Sequence, residues 1–123
     1  MKRNWDTIRE ILTKLEDSSS VNSILQLSDF PSNKVAEIDY HAKLLLEAGL
    51  VTGEVNESIV VKDNIGFYIT GLTWTGHEFL DSINNDTVWE KTKKSFISGG
   101  IPMTFELIKS VATDAAISII KTS

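Results

Sequence analysis

Residues 35–51, VAEIDYHAKLLLEAGLV, decide the fold. Apolar side chains recur there at helical spacing and form one face, made of Val35, Ile38, Ala42, Leu45 and Ala48. Gly49 stands where a left-handed residue commonly closes a helix, and an extended segment begins at Leu50. The stretch therefore predicts a helix that starts near Ser32 or Asn33, ends at Gly49 and leads directly into a strand.

A β-hairpin is predicted on the carboxyl side of this helix. β-branched and aromatic residues cluster at 59–61 and 67–69, and the segment DNIG at 63–66 supplies a turn between them. On the amino side, residues 24–27, ILQL, predict a short strand that is closed by the turn residues at 29–31.

Further helices flank this block. One begins after the N-cap Asn4, with an apolar stripe made of Trp5, Ile8, Leu12 and Leu15. Another follows the hairpin, capped by Thr73, and its inward-facing side chains are expected to be Trp74, Phe79, Leu80 and Ile83. A third is predicted from Thr87, with Trp89, Thr92 and Phe96 on one side. The break SGG at 98–100 precedes a last helix that is expected to begin at Pro102.

The central block resembles bacterial winged-helix regulators of the ArsR and PadR type. The resemblance lies in HxxxLxxAGLV at 41–51 and LTxxGxxFL at 72–80. It implies an α+β winged-helix domain over residues 1–84, followed by a helical extension over residues 85–123 that is a candidate oligomerisation segment. One departure is that only residues 30–34 remain for the helix that usually precedes a recognition helix, which weakens the analogy with helix–turn–helix DNA binding.

Nearly the whole chain also resembles an uncharacterised bacterial and phage family, domain-of-unknown-function family 2513. The motifs that carry this resemblance are MKRN at 1–4, IREIL at 8–12, YHxKLLxxAGL at 40–50, LTWxGHEFLD at 72–81 and DTVWxK at 86–91. The resemblance implies a winged helix in a phage or prophage setting, and it carries no catalytic or binding residue across.

Composition places the chain among ordinary globular domains. It has 123 residues, of which 41% are apolar and 24% charged, and this length favours one domain. No apolar run reaches the roughly 18 residues that span a bilayer, and the first residues lack an apolar signal core. We therefore expect a cytoplasmic protein with no membrane partner. The absence of cysteine excludes disulfides, thiol catalysis and thiolate metal sites.

No catalytic motif is present. His77 and Glu78 begin like the zinc-protease motif HExxH, but Asp81 stands where the second histidine is required. There is no GxSxG, P-loop or GxGxxG motif. We expect no enzymatic activity, no cofactor and no metal site, and we expect His41 and His77 to form structural hydrogen bonds across helix junctions.

Charge makes DNA a weak but open partner. Twelve basic residues face seventeen acidic ones, giving a net charge of −5, whereas phosphate contacts supply most DNA affinity. The basic clusters are also typical of solvated helix faces. The polar face of the central helix includes Glu37, which would repel phosphates. The candidate DNA-binding residues are Lys2, Arg3, Arg9, Asn33, Lys34, Tyr40, Lys43 and Lys62.

The last helix carries enough apolar surface to need a packing partner. Its first stripe consists of Phe105, Ile108, Ala112, Ala115 and Ile119, which are the candidate oligomer-interface residues. Packing within the chain and pairing with a second copy both satisfy this pattern. One hypothesis buries Ile108 and Ile119 in a homodimer interface.

The predicted function is that of a non-enzymatic, regulator-like winged-helix binding module. DNA-binding transcriptional regulation is the conventional activity for this fold. The alternative is a protein–protein interaction module, acting between phage and host or in self-assembly, that does not bind DNA. The acidic hairpin and the apolar last helix favour that alternative.

Overall fold

The chain forms an α+β fold in which helices precede and follow a β-hairpin along the sequence. The computed structural model describes residues 1–18 and 24–122. Within them lie five helices and three strands: α1 (Trp5–Glu16), β1 (Leu25–Gln26), α2 (Val35–Ala48), β2 (Val51–Val61), β3 (Asn64–Leu72), α3 (Trp74–Ile83), α4 (Asp86–Gly99) and α5 (Phe105–Thr122). Short 3-10 turns at Leu27–Asp29 and Ser32–Lys34 connect β1 to α2. The predicted α+β class is confirmed.

Two compact units divide the chain. The first, Met1–His77, contains α1, α2 and the sheet, and the second, Glu78–Ser123, contains α4 and α5. The division falls within α3. The domain boundary at residue 84 stays a prediction.

Local capping signals place both helices of the first unit. The Asn4 side chain accepts hydrogen bonds from the Asp6 N–H (2.9 Å) and the Thr7 N–H (3.3 Å), as predicted. The helix α2 begins at Val35, because a 3-10 turn occupies residues 32–34, where its start was expected. It ends at Gly49 in the predicted left-handed conformation, with φ of 74°.

The three strands form an antiparallel sheet in the order β1-β3-β2. Leu25 of β1 lies opposite Ile69, and Val51 of β2 lies opposite Leu72. The predicted turn at 63–66 is wrong. The turn residues are Lys62 and Asp63, both with positive φ (49° and 67°), and β3 already begins at Asn64. A two-residue turn of this hand matches the twist of the strands, which is why the hairpin closes earlier than the Gly66 signal indicated.

Hydrogen bonds and a close backbone contact join α2, the hairpin and α3. Thr73 accepts a hydrogen bond from the Gly76 N–H (3.0 Å) and donates one to the Gly49 carbonyl (2.6 Å), so the predicted cap is confirmed. A Cβ on Gly76 would lie 2.0 Å from the Leu50 carbonyl oxygen. Only glycine permits this approach between α3 and the start of β2.

For one side chain of α3, the predicted inward orientation is wrong. Phe79, Leu80 and Ile83 are buried as expected, but Trp74 is 80% exposed. Ile83 follows Trp74 by nine positions, which is two and a half turns of a helix with 3.6 residues per turn. The two side chains therefore lie on opposite faces. The aromatic character of Trp74 suggested a core position that the helical period does not support.

The second unit pairs α4 with α5. The buried side chains of α4 are Trp89, Thr92 and Phe96 together with Val88, which confirms the predicted side. The helix α5 begins at Phe105 and not at Pro102, because Thr104 accepts a hydrogen bond from the Leu107 N–H (3.2 Å) as a cap. Among the described residues, no helix is long and apolar enough to cross a membrane.

Candidate binding groove

A groove lies along the outer face of α2. It has a volume of about 460 Å³. Its walls come from three places: Met1 in the N-terminal arm (residues 1–4), Asn64 at the start of β3, and α2 itself. We call it the α2 groove, and its lining residues are Met1, Ala36, Asp39, Tyr40, Lys43, Leu44, Glu47 and Asn64.

The helical period brings the α2 lining together. Ala36, Tyr40, Lys43 and Glu47 follow one another at spacings of four, three and four, which align them along one side of a helix. The buried residues Ile38, Ala42 and Leu45 take the side that faces the core. The two-residue hairpin turn at 62–63 places Asn64 beside this outer side.

His41 anchors the N-terminal arm beside the groove. Its ring is fully buried, and its Nε2 accepts a hydrogen bond from the Asn4 N–H at 2.7 Å. Its Nδ1 lies 2.7 Å from the Glu37 carbonyl oxygen, which is satisfied when Nδ1 carries the proton. The Thr7 hydroxyl also donates to the Glu37 carboxylate, so α1 and α2 are joined twice at this end. The structural role predicted for His41 is confirmed.

His77 lies in a different setting. Its side chain is 53% exposed, and its Nδ1 lies 4.0 Å from a carboxylate oxygen of Glu16 at the end of α1. That separation is too long for a hydrogen bond, so the structural hydrogen bond predicted for His77 is wrong within the described residues.

Asp39 is the most deeply buried polar residue of the α2 groove. Only 8% of Asp39 is exposed. Its Oδ2 accepts a hydrogen bond from the Lys43 ammonium at 2.9 Å, one helical turn away. Its Oδ1 is buried and has no hydrogen-bond partner within the described part of the chain. A buried acceptor left in this state costs about 1–3 kcal/mol, more when it is charged.

The other polar groups of the α2 groove are mainly acceptors. The Asn64 amide donates to the Lys62 carbonyl at 3.0 Å, so its carbonyl oxygen remains available. Glu47 is exposed and makes no ion pair with any described residue. The ring of Tyr40 stands edge-on to His41, with centroids 5.3 Å apart. Two carboxylates therefore share the groove with the ammonium groups of Lys43 and Met1.

The structure brings four of the predicted DNA-binding residues to this groove or its ends. Tyr40 and Lys43 line it. Lys2 follows Met1 in the N-terminal arm, and Lys62 lies in the hairpin turn two residues before Asn64. Both of these lysines are exposed.

The other four predicted residues lie outside the groove lining. Lys34 forms an ion pair with Glu10 at 3.5 Å, and Asn33 is exposed in the 3-10 turn before α2. The guanidinium of Arg3 lies over the Trp5 ring, 5.1 Å from its centroid. Arg9 is half-buried on α1. None of these four residues lines the α2 groove with Lys43.

The predicted oligomer-interface residues of α5 fall into two groups. Ile108 and Ala112 have no exposed surface, so the chain itself buries them and a second copy is not needed to do so. This corrects the hypothesis that placed Ile108 in a subunit interface. Phe105 packs on Phe79, with ring centroids 4.7 Å apart. Ala115 and Ile119 are partly exposed, and pairing through them stays a prediction.

Two features of the α2 groove were missed at the sequence level. The burial of Asp39 was unexpected, although the spacing of Asp39 and Lys43 is that of an ion pair on a helix. The participation of Asn64 follows from the hairpin turn, whose position was predicted two residues too late. In residues 1–18 and 24–122, no three His, Asp or Glu side chains are grouped so as to hold a metal ion.

Comparison with known proteins assigns the chain to a family. The family model described as "Hypothetical protein (DUF2513)" matches residues 2–102. The chain belongs to this family. A protein of Haemophilus influenzae (strain ATCC 51907 / DSM 11121 / KW20 / Rd), described as an uncharacterized protein, is 40% identical over 112 residues, which cover 91% of this chain and 92% of that protein. No solved structure matches the chain significantly. The DUF2513 model ends before α5 begins.

Proposed function

We propose that this DUF2513 protein is a non-enzymatic, regulator-like winged-helix module whose α2 groove binds a protein partner. The order α1, β1, α2, β2, β3 supports the winged-helix reading, because α2 feeds directly into a long two-stranded wing. In this reading α2 is the recognition helix, and the hairpin of β2 and β3 is the wing.

The segment before α2 favours a departure from DNA-binding winged helices. Two 3-10 turns of three residues each, Leu27–Asp29 and Ser32–Lys34, occupy the place of a separate helix. Helix–turn–helix proteins use that preceding helix to cross the DNA backbone and fix the recognition helix in the groove. A module without it has lost one of the supports of DNA docking.

The charge of the α2 groove is the observation that carries the proposal. The groove contains the carboxylates of Asp39 and Glu47 together with the ammonium groups of Met1 and Lys43, and Lys43 is already bound by Asp39. Lys34, at the start of the same helix, is paired with Glu10. A stable DNA complex typically needs about six to ten phosphate contacts. A partly apolar groove that carries charges of both signs is better matched to a protein surface than to a row of phosphates.

DNA binding is the second candidate function because an exposed lysine lies near each end of the groove. Lys2 and Lys62 are exposed and make no ion pair with the residues that the structure describes. A dimer would double these contacts. Regulation of transcription and the phage or prophage setting stay predictions.

Site-specific photo-crosslinking tests the proposal. We would place p-benzoylphenylalanine at Tyr40, which lines the groove, and in a matched control at Asp17, which is exposed at the end of α1. We expect irradiation of bacterial cells to give a discrete adduct only from position 40, and we expect the adduct to resist nuclease and to be lost on proteolysis of the partner. A nuclease-sensitive adduct, or equal labelling from both positions, would contradict a protein-binding groove.

A further inference from the structure

We infer that His41 is a pH-sensitive latch for the N-terminal arm. The neutral ring holds the arm on α2, and protonation of the ring releases it. The inference rests on the two hydrogen bonds of one fully buried imidazole. It goes beyond the proposed function, because it concerns how the arm beside the α2 groove is attached and does not depend on what the groove binds.

The two partners of the His41 ring fix the position of its proton. The Asn4 N–H can only donate, so Nε2 at 2.7 Å presents its lone pair. The Glu37 carbonyl oxygen can only accept, so Nδ1 at 2.7 Å carries the proton. The attached arm therefore requires a neutral ring in one tautomer.

A second proton on the ring is incompatible with this attachment. Protonation would place an Nε2–H against the Asn4 N–H, so that two donors would face each other across 2.7 Å with no acceptor between them. The ring has no exposed surface, so this new donor does not reach water while the arm stays in place. Because burying a charged donor without an acceptor is costly, the protonated ring favours a state in which the arm has moved away.

The number of protons bound in each state gives the direction of the pH dependence. The attached state holds one proton on the His41 ring, and the released state holds two at low pH, so acidification favours release and a higher pH favours attachment. Histidine is the side chain that ordinarily changes its charge between about pH 5 and 8. The other histidine, His77, lies near Glu16 at the opposite end of α1 and takes no part in this attachment.

One carboxylate beside His41 could compete with the ring for control of the arm. The Glu37 carboxylate accepts the Thr7 hydroxyl of α1, and its own protonation would change that contact. Asp39 is paired with Lys43 in the groove, and the buried side chains of β2 and β3 are all apolar. The remaining titratable groups on the elements around the ring are the Met1 ammonium, Lys2 and Arg3 in the arm, Asp6 in the first turn of α1, and Tyr40, whose ring stands edge-on to His41. Separate variants of Glu37 and His41 are therefore needed.

Release of the arm is expected to open one side of the α2 groove. Met1 lies three residues before Asn4 and lines the groove. The side chain and the carbonyl oxygen of Asn4 are bonded to the first turn of α1, whereas its N–H is bonded to His41 of α2. When the N–H loses its acceptor, Asn4 keeps its role as the cap of α1, and residues 1–3 are expected to leave α2.

A pH titration of the full-length protein tests the latch. Nitrogen-15 spectra of the imidazole rings show when Nε2 of His41 takes up its proton, and the Asn4 amide resonance shows whether the arm is attached. We expect both to change together between about pH 8 and 5. Below the pH at which His41 takes up its proton, the ratio of attached to released arm is expected to fall about tenfold per pH unit.

Amide resonances of the buried α2 residues Ala42 and Leu45 are expected to stay constant, which separates release from unfolding. Protonation of the His41 ring without a change at Asn4 would overturn the latch. A change at Asn4 that occurs at a different pH, or an Asn4 resonance that is constant down to pH 5, would also overturn it.

Three variants assign the response to one side chain. His41→Gln replaces the ring with an amide that does not titrate, and it is expected to abolish the pH response of Asn4. His77→Gln is the matched control and is expected to keep the full response, since that side chain is 53% exposed. Glu37→Gln keeps an acceptor for Thr7, removes the titrating carboxylate, and is also expected to keep the response.

A response that persists in folded His41→Gln, or one that is lost in folded Glu37→Gln, would overturn the assignment to His41. If His41→Gln does not fold, the agreement of the ring and amide transitions in the unsubstituted protein decides.

The methionine methyl groups test whether the groove opens. The chain has two methionines, Met1 in the arm and Met103 in the second unit. With ¹³C-methyl methionine, the Met1 resonance is expected to shift together with the Asn4 amide, while the Met103 resonance stays constant. A constant Met1 resonance alongside a released Asn4 would overturn the opening of the groove.

The outcomes separate this inference from the proposed function. A pH response of the arm without a protein adduct at position 40 keeps the latch and contradicts the protein-binding groove. A protein adduct at position 40 without a pH response of the arm keeps the proposed function and overturns the latch.

Discussion

His41 joins the N-terminal arm to α2 beside the α2 groove. Its two ring nitrogens connect the Asn4 amide in the N-terminal arm to the Glu37 carbonyl in α2. No other described side chain accepts from Asn4 N–H. This connection joins α2 to the arm, which contributes Met1 to the groove lining.

His41→Ala is therefore expected to lower the free energy of unfolding by about 3 kcal/mol. The variant loses two hydrogen bonds and leaves a cavity at a fully buried position. His77→Ala is the matched control, because that side chain is 53% exposed, and it is expected to change the free energy of unfolding by less than about 0.5 kcal/mol. Urea unfolding of both variants measures the difference, and equal losses would contradict the anchoring role of His41.

Asp39 shows what the sequence could not predict at the residue scale. Tyr40 and Lys43 were expected on the outer face of α2 because helical spacing alone places them there. The groove residues outside α2 are Met1 of the arm and Asn64 of the hairpin, which lie 38 and 25 residues from Asp39 along the chain. The spacing of apolar residues within α2 does not indicate which distant segments of the chain pack beside it.

At the scale of the elements, the helix ends were predictable and the hairpin turn was not. Asn4, Gly49 and Thr73 cap their helices as expected, since each acts on backbone groups within a few residues of itself. Lys62 adopts a positive φ, which is uncommon for lysine. The pairing of β2 with β3 imposes that conformation, so the side chain itself gives no signal.

The contact between α3 and β2 allows a sharp test of the junction. Gly76→Ala would place a Cβ 2.0 Å from the Leu50 carbonyl oxygen, and we expect a loss of about 2 kcal/mol or more in the free energy of unfolding. Gly99→Ala, at the end of α4, meets only the Ile101 side chain at 3.5 Å and is expected to be neutral or stabilising by up to about 1 kcal/mol. Thermal unfolding that shows the two variants to be equally stable would contradict the close approach.

The helix α5 contributes to the core through one stripe and leaves another exposed. Ile108→Asp would bury a charge at a position with no exposed surface, and we expect it to destabilise the protein by about 4 kcal/mol or more. Ile117→Asp is the control, because Ile117 is 43% exposed. Calorimetry and light scattering on both variants test this account. It would be contradicted if Ile108→Asp lowered the mass of the particle while its stability stayed unchanged, since that result belongs to an interface residue.

At the scale of the whole molecule, the acidity is concentrated in the unit that contains the groove. Residues 1–77 carry seven basic and eleven acidic side chains, whereas residues 78–123 carry five and six. The composition predicts weak DNA binding, and in the structure Lys34 and Lys43 are paired with carboxylates. Under the proposed winged-helix interpretation, DNA is the conventional ligand of the fold, whereas the pairing of these lysines favours a protein ligand.

The central claim is that the α2 groove serves a protein partner and not duplex DNA. Its most direct test is an amide-resonance titration of the full-length protein with a random duplex of about 20 base pairs at 50 mM and 200 mM salt. We predict no saturable shift at Tyr40, Lys43 and Asn64 at either salt concentration. Micromolar binding that shifts these resonances at 50 mM salt and weakens steeply at 200 mM would show phosphate contacts at the groove and would contradict the claim.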